Sequence, residues 1–505
     1  MRPLVRAVLL LGGVAVLLLV GAAWSIWSGA VVDTSGELAC ERKLELPPLL
    51  EPDIDSTGRR VFSLALQEGE AELLPGTRTA TWGVNGPYLG PTLHAERGDE
   101  VAMRVRNGLP EATTLHWRGM HLPAAADGGP HQMIEPGQTW QPSWRIDQPA
   151  ATLWYHPHLM GRTEEHVYRG VAGMFILDDP AASALELPDT YGIDDIPLIV
   201  QDKRLEDDGE LSFSQGIVSP IGQLGDTVLV NGTSAPYLPV ETSMVRLRLL
   251  NASTARIYNF GFSDDRAFEL IATDGGLLAA PRELDRIQLS PGERAEIVVA
   301  LDPGDDVVLR SFAPDFRGID FFNRRFVGGD DSLDILQLRA EDELADSPSL
   351  PASLRTSAEL PDAHEAARVR RFELSGSSSI NGQEMDMARI DQVVPVGATE
   401  LWEVENRGGI PHSFHVHDVR FRIVELAGDP PPPELSGLKD TVLIPPGETA
   451  RFATHFSDYT DPKTPYMFHC HLLEHEDRGM MSQFVVVDPD RRARSAAPPH
   501  HEVRS

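Results

Sequence analysis

Three pairs of histidines, each separated by a single residue, dominate the chemistry this chain could perform: His156 with His158, His415 with His417, and His469 with His471. Alternate side chains on an extended strand leave the same face, so each pair can present two imidazoles together. Neutral imidazole is a nitrogen donor for transition metals, and three pairs amount to a wall of such donors. Cys470 lies between two of these histidines and therefore points to the opposite face of its strand, toward a separate site. His412, Cys470, His475 and Met480 follow one another in the order that a thiolate, two imidazoles and a distant thioether require. That is the ligand set of a blue copper centre, and it favours copper over zinc. Met481 competes with Met480 for the thioether position.

The elements that must position these residues recur three times. VAMRVRN ends at Asn107, MVRLRLLN at Asn251 and LWEVEN at Asn406, and each opens a similar passage. A Pro-Gly turn signal follows at Pro136-Gly137, Pro291-Gly292 and Pro446-Gly447, with the prolines 155 residues apart both times. Nine positions after the repeated Asn stand His116, Phe260 and His415, so the outer copies carry histidine and the middle one does not. The pair at 156 and 158 in the first copy matches the pair at 469 and 471 in the third, and the middle copy again has nothing comparable. A histidine site between the first and third copies is expected.

Short alternating runs punctuated by Gly, Pro and Asn predict an all-β fold of three consecutive Greek-key β-sandwich domains after an N-terminal hydrophobic helix. The domains are placed at 45–180, 190–340 and 368–490, with a linker at 341–367 rich in Asp, Glu, Ser, Pro and Ala, and a disordered tail at 491–505. Residues 1–30 read as a membrane anchor or export signal, because the apolar run at 7–27 is long enough to span a bilayer and follows Arg2 and Arg6. Those arginines place the short tail in the cytoplasm and the remaining chain outside it, in the periplasm or at the cell surface. The net charge of −32, from 44 basic and 76 acidic residues, repels phosphate backbones and excludes nucleic acid as a partner. Two cysteines exclude a disulfide framework; Cys40 reads as an incidental thiol. The oligomeric state is left open, with a monomer as the default.

HSFHVH (412–417) and HCHLLEHEDRGMM (469–481), with TLHWRG (114–119), DGGP (127–130) and WYHPH (154–158), resemble the copper motifs of multicopper oxidases, closest to the bacterial laccase-like and copper-efflux types. The resemblance implies cupredoxin-like domains. It also implies type 1 copper on His412, Cys470, His475 and Met480, type 2 copper on His116 and His415, and a type 3 pair on His156, His158, His417, His469 and His471. Asp127 and Glu476 map to proton-handling carboxylates. A small phenolic or aromatic donor, or a low-valent metal ion, would then be oxidised while dioxygen is reduced to water. The stretch 341–371 contains no methionine, so the methionine-rich insertion of cuprous oxidases is missing and an organic donor is preferred.

One position departs from the pattern. Where the family has a second histidine in its first motif, this chain has Arg118, whose guanidinium stays protonated and offers no lone pair to a metal. One type 3 ion would keep only two protein nitrogens. His121 and His131 are near enough to be weighed as replacements, but His121 falls on the opposite strand face, and both are read as ordinary histidines with His94, His166, His364 and His455. The alternative function is therefore a copper-binding envelope protein with an incomplete cluster and little oxidase activity.

Overall fold

The computed structural model describes residues 3–213, 219–354 and 360–489; the expected tail lies outside the described residues. Apart from the N-terminal helix Pro3–Ser28 and a few short helical turns, the described chain is built of strands in six sheets, two for each of three β-sandwiches. In the first, Leu93–Glu96, Gly173–Asp178, Ala151–His156 and His116–Arg118 form one sheet, and Arg60–Ala71 pairs with Glu100–Asn107 in the other. Alternation along Glu100–Asn107 sends Val101, Met103 and Val105 inward against Trp117, Tyr155 and Phe175. The second sandwich packs Leu247, Leu249, Phe260, Ile297 and Leu336 between its sheets. The third centres on Phe372, Trp402, Phe414, Phe468 and Phe484.

The repeated asparagines owe their place to backbone chemistry. Each is buried where a strand ends, and its amide nitrogen donates to two carbonyls: Asn107 to Glu111 and Ile134, Asn251 to Arg256 and Leu289, Asn406 to Ile410 and Ile444. Each side-chain oxygen accepts a backbone N–H two residues on. The glycine of each Pro-Gly turn donates its N–H to the carbonyl of the same asparagine, at 2.7, 2.8 and 2.9 Å. Three copies of one junction thus satisfy the groups that the strand ends would leave unpaired.

Two boundaries differ from the sequence expectation. Strand Leu333–Ala345 runs five residues into the stretch read as a linker, pairing Ala345 with Thr242. Its last residues are acidic and mostly exposed because they run on past Asp306–Ser311, whose ladder stops at Arg339, and are laddered only against Pro236–Thr242. The chain ahead of residue 45 is not a free lead-in either: Arg42–Lys43 joins the second sandwich, in parallel with Pro236–Thr242.

Candidate metal centres

Strand register delivers the first histidines. Antiparallel pairing sets His156 opposite His116 and Trp154 opposite Arg118, and His469 opposite His415. The second member of each pair lies just past its strand: Ala151–His156 ends before His158, His412–Val416 before His417, and Tyr466–Cys470 before His471. The shared face expected from simple alternation is completed by loop contacts instead. His158 N–H donates to Thr114 Oγ1 at 2.6 Å, His417 N–H to Met467 O at 3.0 Å, and His471 N–H to Ser413 O at 2.5 Å.

The outer sandwiches meet here. His116, His156 and His158 from the first face His415, His417, His469 and His471 from the third, and all seven are at most 1% exposed. His116 stacks on His417 at 4.0 Å between ring centroids, and His156 meets His471 edge-on at 5.3 Å. The Nε2 atoms of His158, His417 and His469 form a triangle with edges of 3.1, 3.1 and 3.3 Å.

Acceptors behind the rings fix which nitrogen carries the proton. Nδ1 of His116 donates to Asp127 O, His415 to Asp440 O and His417 to Asp127 Oδ2, each at 2.8 Å, and His156 donates to Pro157 O at 2.7 Å. Glu476 places Oε1 3.2 Å from His158 Nδ1 and Oε2 3.1 Å from His469 Nδ1. The inward Nε2 atoms are then lone-pair donors. Those of His116, His156, His415 and His471 have no hydrogen-bond partner. Burial pushes the imidazoles of His116, His156, His158, His415, His417 and His471 down, His158 to about 4 and His415 to about 3, so these stand neutral, as ligands must. Burial pushes the Asp127 carboxyl up. It would do the same to Glu476, but His158 and His469 outweigh it and hold that carboxyl below its ordinary range.

On the reverse face Cys470 packs with Met480 in the core of the third sandwich. Its Sγ lies 3.4 Å from His412 Nδ1 and 3.7 Å from His475 Nδ1, which are 3.3 Å from each other. His475 Nε2 donates to Pro220 O at 3.0 Å, leaving its Nδ1 as a lone pair aimed at the sulfur. Burial pushes the thiol up to about 12, so a cation is needed to hold it as thiolate. Met481 pairs opposite His469, hence on the histidine face, and Met480 on the Cys470 face.

These donors fit copper at three places: three convergent lone pairs with no proton between them at His158, His417 and His469; unpartnered Nε2 atoms at His116 and His415; and a sulfur with two Nδ1 atoms. At the fourth they do not. Arg118 is fully buried beside His156 and His471, donating to Thr441 Oγ1 and lying 3.8 Å from Asp440. Burial lowers its guanidinium only to about 10, so it remains a cation. Gly292, at φ +84°, leaves room for it; a Cβ there would sit 2.6 Å from Arg118 Nη2 and 3.0 Å from His471 Nδ1. His121 is held between Asp418 at 2.8 Å and Asp458 at 2.6 Å, and His131 by Gln483 at 2.8 Å; neither is among the grouped donors.

Sequence reasoning missed a buried charge cluster reaching in from the second sandwich. Arg294 grips Asp440 with bonds of 2.9 and 2.7 Å, and Lys439 pairs with Asp274 at 3.0 Å and Glu293 at 2.7 Å. The signal was present: Arg294 stands where the other Pro-Gly repeats have Thr139 and Thr449.

Multicopper oxidase profiles match residues 65–182, 203–310 and 353–490. The multicopper oxidase mco of Staphylococcus haemolyticus is 34% identical over 454 residues, covering 89% of this chain and 93% of that protein. The cell division protein FtsP of Salmonella typhimurium is 37% identical over 468 residues, covering 92% and 96%. The structure of a laccase-like multicopper oxidase, CueO from Ochrobactrum sp., superposes with a TM-score of 0.80 at 36% identity, covering 88% of this chain and all of that one. With three matched domains in sequence and most of its length shared with these proteins, the chain belongs to the multicopper oxidase family.

Proposed function

We propose that this protein is an extracytoplasmic copper-dependent oxidase that takes electrons from a small phenolic or aromatic donor, or a low-valent metal ion, and reduces dioxygen. The observation that carries the reading is Cys470, which joins the sulfur site to the histidine wall through its own neighbours, His469 and His471. His412, Cys470, His475 and Met480 would hold one copper, His158, His417 and His469 a second, and His116 with His415 a third; His156 and His471 keep two nitrogens for a fourth. Bound copper would supply one-electron redox chemistry. The chain's own groups do the rest. Asp127 accepts from His417 Nδ1 and Glu476 faces the Nδ1 atoms of His158 and His469, so Nε2 is aimed inward. Asp127, which burial pushes up, is the group to hold and release a proton there, and Glu476 stands as an anion behind the wall. Complete burial of the wall excludes bulk water from it.

A second reading, a copper-binding envelope protein with little oxidase activity, is favoured by one observation: a cation fills a ligand position. The similarity to proteins named for cell division is compatible with it. Copper counting on purified, copper-loaded protein, with visible absorption and oxygen uptake on a generic phenol, separates the two. Thiolate-to-copper colour with oxygen uptake supports the oxidase; bound copper with no uptake supports the envelope protein.

A further inference from the structure

Phe321 and Phe322 are neighbours in sequence and are 63% and 66% exposed, an arrangement water does not favour. Their rings lie 5.7 and 6.3 Å from that of Trp27, which in turn lies 5.1 Å from Trp24, itself 64% exposed. Both tryptophans belong to the last turns of the apolar helix segment Leu11–Ser28, which is long and apolar enough to cross a bilayer. Arg325 places its guanidinium 3.7 Å over the Trp27 ring.

The chain leaving that helix does not wander. Val32 N–H donates to Asp331 at 2.9 Å, Ser35 and Ser332 share a hydroxyl bond of 2.6 Å, and Gly36 N–H donates to Asp334 at 2.7 Å. The aromatic turn is therefore tied to the end of the span. It is also preformed: Asp320 caps the short helix Phe321–Arg324 by accepting from Phe322 N–H at 3.0 Å and Asn323 N–H at 3.1 Å. Behind it, Phe316 and Val327 are buried in the core that holds Cys470. Aromatic side chains at the level where a span ends are what the headgroup region of a bilayer accommodates.

We propose that Phe321–Arg324 is a second membrane contact, seating Phe321 and Phe322 in the interface of the bilayer that Leu11–Ser28 crosses and so fixing the orientation of the β body. The inference rests on that helix being a retained anchor. Arg324 and Arg325 share Asp330, at 3.0 and 3.2 Å, and the capping Asp320 balances the second charge, so the turn has no net charge and the contact is apolar and indifferent to lipid charge.

The test uses the full chain in phosphatidylcholine nanodiscs with a benzophenone photoprobe replacing Trp24, Phe322 or the exposed Ser436. Lipid adducts are expected from Trp24 and Phe322 and none from Ser436, with the Phe322 yield unchanged when salt is raised tenfold. Adducts from Trp24 without any from Phe322 overturn the turn contact alone. None from Trp24 overturns the anchor and the contact with it. Should the Phe322 probe disturb folding, exposed Asn323 on the same turn carries it, with the same outcomes.

Discussion

Replacing Arg118 by histidine isolates the position where this chain departs from its family. The side chain is fully buried, donates to Thr441 and lies 3.8 Å from Asp440. Removing one partner of a buried ion pair costs roughly 3–5 kcal/mol when the other is orphaned. Asp440 is not orphaned, because Arg294 keeps both of its bonds. Two guanidinium nitrogens, Nε and Nη1, already lack partners, so part of the loss is offset. The expected penalty for the copper-free protein is about 1–3 kcal/mol, the range for losing buried hydrogen bonds. In exchange His156 and His471 gain a third nitrogen and lose a neighbouring fixed charge. Outer partners of metal ligands are worth about 10–100-fold in affinity, so a direct ligand should tighten copper there by at least about 100-fold. At a free copper concentration of about 100 times the dissociation constant, binding returns about 2.7 kcal/mol. Arg118→His should therefore melt lower than the parent when copper-free and recover when loaded. It should bind one more copper by elemental analysis and consume oxygen faster with the same donor. Equal copper counts and equal uptake in the two proteins would refute the reasoning, since Arg118 would then not be what limits the cluster.

Glu476→Gln preserves shape but removes the anion facing His158 and His469, and should weaken cluster copper about 10–100-fold in a competitive chelator titration while leaving the Cys470 colour intact. Cys470→Ser should abolish that colour and donor oxidation yet retain the cluster coppers, a separation that electron paramagnetic resonance can resolve. His121 gives a pH signature: burial opposes its charge, but Asp418 and Asp458 prevail and raise it to about 10 from 6.5. A raised folded-state value means its stabilisation is whole below about pH 6.5 and is lost as pH climbs toward 10. His121→Gln should flatten stability between those values in denaturant titrations, and an unchanged slope would contradict the assignment.

Much of the architecture was readable because repetition and period-two alternation are strong signals. The Asn and Pro-Gly positions marked three equal units, and the missing histidine at Phe260 identified the copy without donors. The Cys470 site was readable because neighbours on a strand must face opposite ways. What escaped was contact without sequence spacing. Asp440 lies 25 residues from His415 and Arg294 in another domain, and only folding joins them. The second histidine of each pair was assigned to a strand that in fact ends before it, since nothing in a two-residue spacing distinguishes a strand from the loop that extends it. The acidic end of Leu333–Ala345 was taken for a linker because a strand end that outruns one neighbour is as exposed and polar as a linker.

Strand Tyr466–Cys470 serves two compartments at once, sulfur toward the aromatic core and imidazole toward the domain junction. Sliding it by a single residue against Met481–Val487 would exchange the two, burying rings among phenylalanines and delivering a thiol to the junction. Length here is thus as constrained as identity. A deletion or insertion of one residue within Tyr466–Cys470 would disable both compartments together, even with every donor side chain retained.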